Sequence, residues 1–134
     1  MRVQPYLMFD GRTDEALEFY KKALGAEVEM LMRFRESPDQ SMITPGSAEK
    51  VMHSQFRIGE TVLMASDGQC RAQSSFQGFA LALSVADDAE AKRRFEALAD
   101  GGVVRMPLAK TFFSSSFGML ADRFGVSWMV LVRP

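Results

Sequence analysis

Apolar positions along this chain follow two periods, one strand-like and one helical, and the same succession of periods is run through twice. Residues 3–9, with Val3, Pro5, Tyr6, Leu7, Met8 and Phe9, form a nearly continuous apolar run that predicts a buried strand. Asp10-Gly11-Arg12 is turn material. Thr13 then predicts a helix N-cap, followed by the acids Asp14 and Glu15 in the first turn. Ala16, Leu17, Tyr20, Ala23 and Leu24 recur at helical spacing, and Gly25 ends the helix. Residues 27–35 predict a second strand. Residues 36–50 hold Pro38, Pro45, Gly46, Ser37, Ser41 and Ser47, which predicts a long mobile loop. Residues 51–58 and 61–66 predict two strands, joined through Gly59-Glu60 as a two-residue hairpin turn.

After a polar connector over residues 67–76 the pattern restarts. Residues 78–85 predict a strand, and Asp87 or Asp88 caps a helix that runs through Ala91, Phe95 and Leu98 to Gly101-Gly102. Residues 103–108, 112–120 and 126–132 predict three further strands, the last two joined by Ala121-Asp122-Arg123-Phe124-Gly125. Aligning Glu15-Ala16 with Glu90-Ala91 sets Tyr20 opposite Phe95. Each half therefore reads strand, helix, strand, strand, strand. Such a repeat predicts two similar modules in an α+β fold, because a lone small sheet cannot bury its apolar face. The expected organisation is a single domain over 1–134, with one βαβββ module over 1–67, a connector over 68–77 and a second module over 78–134.

Bulk properties exclude several roles. The 134 residues include 47% apolar and 25% charged residues, ordinary values for a globular domain with a real core. A formal net charge of −1 gives no electrostatic reason to bind nucleic acid or an anionic membrane. No apolar run approaches the roughly 20 residues a membrane helix needs. Met1-Arg2-Val3-Gln4-Pro5 lacks the apolar core of a signal peptide. Cys70 is the single cysteine, so no internal disulfide can form, and a reducing cytoplasm is the expected location.

The motifs Glu18-Phe19-Tyr20, Leu24-Gly25 and Asp122-Arg123-Phe124-Gly125-Val126-Ser127-Trp128, taken in order, resemble the vicinal oxygen chelate superfamily. That superfamily includes glyoxalase I, extradiol dioxygenases, fosfomycin-resistance enzymes and bleomycin-binding proteins. The chain is similar in particular to the PhnB-like branch, in Pro5-Tyr6-Leu7, Met52-His53, Arg57-Ile58-Gly59 and Met64-Ala65-Ser66-Asp67. Members of that branch are often labelled 3-demethylubiquinone methyltransferase. An adenosyl cofactor, however, calls for a Gly-rich strand-to-helix loop, which the sequence does not show. The resemblance implies paired βαβββ modules forming an open cup, and commonly a homodimer. In metal-dependent members four inward His, Glu or Gln side chains hold one divalent ion. Those positions fall here on Pro5, Met64, Ala80 and Met129. Pro and Ala carry no donor, and the Met thioether suits Cu(I) far better than Mg, Mn, Fe or Zn. Shifting each position by one residue restores at best Gln4. The expectation is no metal of the usual kind and no cofactor.

Strand alternation then predicts the lining of the cup. Met64 brings Val62 and Ser66 inward, and the hairpin register pairs Ile58 with Thr61, Gln55 with Met64 and His53 with Ser66. Met129 brings Ser127 and Leu131, Ala80 brings Gly78, Ala82 and Ser84, and Pro5 brings Leu7 and Phe9. The candidate ligand-binding residues are Leu7, His53, Gln55, Met64, Ser66, Ala80, Ser127 and Met129. Apolar walls with a few orienting polar groups describe a small-molecule pocket. His53, the single histidine, is the candidate acid–base group. Cys70 reads as an inert loop thiol, since only Arg71 is close by to activate it. Ser114-Ser115-Ser116 reads as an alternating strand, with Ser114 and Ser116 on one face. The ten methionines read as core filling and as a pliable pocket wall. Trp128 points away from Met129 under a helix. Lys92, Arg93 and Arg94 form a solvated helix face, and Asp122 orders the last turn through its own backbone. The leading expectation is a metal-independent protein that binds a small, partly apolar molecule. One alternative is a lyase, isomerase or transferase that uses His53 as a metal-free acid–base group or a relocated metal. Another is a dimeric scaffold with a closed cup. The loop over residues 36–50 would cover the cup or reach a partner.

Overall fold

The computed structural model describes residues 1–43, 45–68 and 74–133, so Cys70 lies outside the described residues. The chain divides into two compact units, Met1–Ser74 and Ser75–Pro134. The first contains β1 (Tyr6–Met8), α1 (Thr13–Leu24), β2 (Glu27–Arg33), β3 (Val51–Ile58) and β4 (Thr61–Ser66). Its four strands are ordered β1-β4-β3-β2, with β1 parallel to β4 and the other pairs antiparallel. The Gly59-Glu60 turn places Ile58 opposite Thr61 and Gln55 opposite Met64, as its two-residue length requires. Gly59 takes φ 57°, the left-handed region open to glycine at little cost.

Helix α1 covers one face of this sheet. Ala16, Leu17, Tyr20, Ala23 and Leu24 are buried, and the Tyr20 ring stacks on Phe56 of β3 at 6.2 Å with planes 7° apart. Leu7, Phe9, Leu63 and Ala65 complete the core on that side. Gly25, at φ 68°, closes the helix while its N–H donates to Lys21 O and Ala26 N–H donates to Tyr20 O.

Thr13 is not the N-cap. It is the first residue of α1, and Arg12 at the cap position makes no side-chain capping bond. The capping oxygen comes instead from Asp67, 54 residues away at the end of β4. Asp67 Oδ1 accepts from Gly11 N (2.8 Å), Thr13 N (2.9 Å) and Thr13 Oγ1 (2.7 Å), while Oδ2 accepts from Val51 N (2.7 Å). The side chain is completely buried. A buried carboxylate is tolerated because each oxygen is bonded and the helix N-terminus carries partial positive charge.

The segment expected to be a mobile loop carries structure of its own. It begins in 3-10 turns at Phe34–Glu36 and Gln40–Met42, which end β2 at Arg33. Ser37 and Ser47 are buried. Arg33 Nη1 donates to both Asp14 Oδ2 (2.9 Å) and Glu49 O (2.7 Å), and Lys50 Nζ donates to Gly11 O (2.8 Å). These contacts return the segment to the start of α1.

The second unit repeats the topology with β5 (Leu81–Val85), α2 (Asp88–Ala99), β6 (Val103–Ala109), β7 (Phe117–Ala121) and β8 (Ser127–Val132). The order is β5-β8-β7-β6, with β5 parallel to β8. Of the two candidate caps, Asp87 is the one used, accepting from Glu90 N at 2.8 Å. Ala91, Phe95 and Leu98 face the sheet, and Trp128 lies under α2 as expected. Asp122 Oδ1 accepts from Phe124 N and Val126 N, and its Oδ2 takes the Trp128 Nε1 hydrogen at 2.9 Å. Gly118 lets α2 approach closely, because a Cβ there would stand 2.6 Å from the Phe95 ring.

Ser114, Ser115 and Ser116 precede β7 instead of alternating within it. Their hydroxyls are used for a turn. Ser114 Oγ donates to Val132 O at 2.8 Å, and Ser115 Oγ and Ser116 Oγ both donate to Asp88 Oδ1, at 2.6 and 2.7 Å. An alternating strand would send Ser115 away from its neighbours, whereas both hydroxyls converge on the first residue of α2. Among the described residues no helix is long and apolar enough to cross a membrane.

The two polar junctions can be probed separately. Asp67→Ala leaves the β1–α1 junction without its acceptor and costs about 3 kcal/mol in chemical denaturation, the scale of lost buried bonds to a charged group. Hydrogen bonds from Ser115, then Ser116, hold the Asp88 carboxyl below the usual carboxylate range. A lowered folded value means that the interaction is fully present above the ordinary carboxylate pKa and is lost as pH falls through the lowered one. NMR titration should show Asp88 returning toward its ordinary value in Ser115→Ala and further in the double variant with Ser116→Ala.

Candidate functional site

The face of the first sheet opposite α1 carries the polar chemistry. Alternation along β3 sends Ser54 and Phe56 to the buried side and His53, Gln55 and Arg57 to the other, where all three are half-buried. Opposed pairing adds Met64 beside Gln55. On the far side of Met64, the parallel pairing of β1 places Tyr6 directly in register. The row is then extended by Met30, which pairs with Gln55, and the next row by Met32, which pairs with His53.

Within this face Tyr6 Oη and His53 Nδ1 lie 3.0 Å apart, and the two rings stack with centroids at 5.6 Å and planes 26° apart. The hydrogen bond couples the far ring nitrogen to the phenol. When the phenol donates to Nδ1, Nε2 carries the proton and is a donor. When Nδ1–H donates to the phenol, Nε2 is an acceptor. Gln55 Nε2 donates to Glu29 Oε1 at 3.2 Å. Arg57 is paired with Glu27 at 2.7 Å and Glu29 at 3.5 Å, so its charge is balanced locally.

The candidates divide accordingly. His53, Gln55 and Met64 share this face. Ser66 is the next position beyond the Ser54–Ala65 pair on the same side of β4. It is only 4% exposed, and its Oγ accepts from Gly68 N at 3.2 Å. Leu7 does not belong to the set. It pairs with Ala65, is 1% exposed and packs on the α1 side, as does Phe9. The parity of β1 is therefore one residue out from the expectation, and Tyr6 and Met8 take the places given to Pro5 and Leu7. Pro5 instead contributes its carbonyl, which accepts from Met64 N at 3.0 Å. Tyr6 is the site residue that sequence reasoning does not find, although it stands inside the Pro5-Tyr6-Leu7 motif and is 39% exposed.

On the second sheet Ala82 pairs with Met129 and Ser84 with Leu131, while Trp128, Val130 and Val132 are buried toward α2. Ser127 and Met129 therefore lie on the face away from the helix, as alternation predicts. Ala80 is half-buried just before β5. A separate depression of about 550 Å3 lies between α2 and β6, with Lys92, Phe95, Pro107 and Lys110 in its wall, away from every candidate residue.

Among the described residues no group of three or more His, Cys, Asp or Glu side chains could hold a metal ion. Pro5, Met64, Ala80 and Met129 do not fit a hard divalent cation, since two of them carry no donor and the other two offer only thioethers.

Paired βαβββ units with mixed four-stranded sheets define a protein of the glyoxalase and bleomycin-resistance fold class. Residues 1–131 match the family described as 3-demethylubiquinone-9 3-methyltransferase. The chain is 40% identical to protein PA1353 from Pseudomonas aeruginosa, whose crystal structure matches with a TM-score of 0.87 over 99% of this chain and 98% of that one. It is 34% identical to protein YjdN from Escherichia coli over 98% of this chain and 95% of that protein. A PhnB protein from Bacillus cereus is 27% identical, with a TM-score of 0.82 over 98% of this chain and 99% of that one. The chain belongs to this PhnB-like family. The fosfomycin-resistance protein FosX from Listeria monocytogenes, at 10% identity and a TM-score of 0.68 over 100% of this chain and 93% of that one, shares the fold alone.

The Tyr6–His53 pair is exposed enough to test without unfolding the chain. Tyr6→Phe should change stability by less than about 1 kcal/mol, since it removes one solvent-accessible hydrogen bond. It should shift both imidazole 15N resonances of His53, and unchanged resonances would mean that the pair does not form in solution.

Proposed function

We propose that this chain binds a small, partly apolar molecule against the face of the first sheet, with Tyr6, His53 and Gln55 orienting it and Met64 supplying adaptable apolar contact. The observation that carries the reading is the Tyr6 Oη–His53 Nδ1 hydrogen bond of 3.0 Å beside Met64, on the sheet face that α1 leaves uncovered. It presents one aromatic surface and one ring nitrogen, Nε2, whose donor or acceptor role is coupled to the phenol. Half-buried polar groups spaced among thioethers and aliphatic side chains are what a small-molecule site requires.

The same pair favours a second reading, an enzyme with His53 as acid–base group and Tyr6 setting its tautomer. The methyl transfer named in the family description finds less support. An adenosyl donor would need free N–H groups at a strand-to-helix junction. At β1–α1 the Gly11 and Thr13 N–H groups are bonded to Asp67, and at α2 the Glu90 N–H is bonded to Asp87. These junctions do not fit that cofactor.

Native mass spectrometry of gently purified protein, followed by titration of the co-purified molecule into His53→Ala, separates the two readings. A binder should lose about tenfold in affinity, the scale of one hydrogen bond. An acid–base enzyme should keep most of its affinity and lose roughly a hundredfold or more in turnover. Unchanged affinity and turnover would exclude His53 from both roles.

A further inference from the structure

Three methionines stand in one row across the second sheet. Met106 on β6 pairs with Met119 on β7, and Met119 pairs with Met129 on β8. Directly opposed residues share a face, with Cβ atoms about 5 Å apart. Leu120, Trp128 and Val130 are buried on the α2 side, so the three thioethers project from the other face. Met106 is 46% exposed and its two neighbours are half-buried. The β6–β7 register shifts on both sides of Met106, between Val104 and Met106 and again between Met106 and Ala109. Such irregularities re-aim single side chains, and here they leave Met106 in line with Met119.

The paired strands of the first sheet hold no equivalent row among the described residues. There Met30 faces Gln55, Met32 faces His53, and Met64 lies between Gln55 and Tyr6. The second sheet brings thioether next to thioether without a harder donor between them.

We propose that Met106, Met119 and Met129 form a three-sulfur site for a soft monovalent cation, Cu(I) or its analogue Ag(I). A methionine has three rotatable bonds and no branch, so the outer two sulfurs can lean over the central one. Neutral, polarisable thioethers favour soft ions over Mg, Zn or Mn. The charge balance selects one positive charge over two. Arg105 Nη1 donates to Ser127 Oγ at 3.1 Å, two residues along β8 from Met129, which places a guanidinium beside the row, and the row itself is built of neutral side chains. All three methionines belong to the second unit, and the proposal does not depend on the function proposed for the first.

The test uses the full chain carrying Cys70→Ser, because a thiolate would compete for the ion. Anaerobic Cu(I) titration against a chromophoric competitor should give one ion per chain. Ag(I) added to protein labelled with 13C at the methionine methyls should shift Met106, Met119 and Met129 together and leave Met8, Met30 and Met64 in place. Met119→Leu and Met129→Leu conserve volume, and each should weaken binding about tenfold or more by removing one of three donors. Absence of stoichiometric binding, unchanged affinity in the Met119→Leu, Met129→Leu double variant, or shifts confined to other methionines would overturn the proposal. If a leucine variant fails to fold, the methyl shifts in the Cys70→Ser protein decide alone.

Discussion

The Asp67 carboxylate holds the first unit together at its least regular corner. Its two oxygens take hydrogens from the turn after β1, from the first residue of α1 and from the first residue of β3, and its own N–H donates to Val51 O. Three segments that diverge in sequence are thereby fixed to the end of β4. The arrangement needs a full complement of donors, because a buried charge with an unsatisfied oxygen would be costly. Among the described residues no buried side-chain nitrogen or oxygen lacks a partner. The same bonds occupy the N–H groups that a strand-to-helix junction could otherwise offer to a phosphate, so one structural device also removes one class of ligand from that corner.

The second unit reaches the same topology without that device. Asp87 caps α2 locally, and the buried carboxylate of Asp122 sits at a different corner, between β7 and β8, where it orders its own turn and holds the indole of Trp128. The two units therefore share strand order and an apolar face under each helix, but not their polar joints. The halves also differ in length between their second and third strands, where residues 34–50 join β2 to β3 and residues 110–116 join β6 to β7.

This division explains what can be read from the residues alone. Helical spacing picks out the buried side of α1 from Ala16 to Leu24, and Gly59-Glu60 sets the β3–β4 register, because both rest on bonds between residues close in sequence. The β1 parity is illegible for a physical reason. Pro5, Tyr6, Leu7, Met8 and Phe9 are all apolar or aromatic, so nothing in the run marks which alternate residues face the helix. Only the parallel pairing with β4, an interaction between strands far apart in sequence, settles it. Thr13 reads as a cap because the true one, supplied from Asp67, leaves no local trace. The serine run reads as a strand because its hydroxyls find their partner in Asp88, 27 and 28 residues away. Of the candidate site, His53, Gln55 and Met64 are legible through the hairpin. Tyr6 is not, since it depends on the one strand whose phase the sequence leaves open.

The two sheet faces opposite the helices have the same strand order and different chemistry. On the first, every methionine in the paired rows has a polar or aromatic neighbour across the strand: Gln55, His53, Ser66 or Tyr6. Interleaving of that kind suits a molecule with both apolar surface and hydrogen-bonding groups, because each contact type lies within one strand spacing of the other. On the second, Met106, Met119 and Met129 are contiguous, and the polar neighbours Ser127 and Arg105 are bonded to each other at the margin. A contiguous patch offers polarisability and little direction. Met64 and Met129, two of the four positions where the resemblance implies metal donors, thus belong in this chain to two soft surfaces, and the Tyr6–His53 pair adds the directional group that could tell one ligand from another.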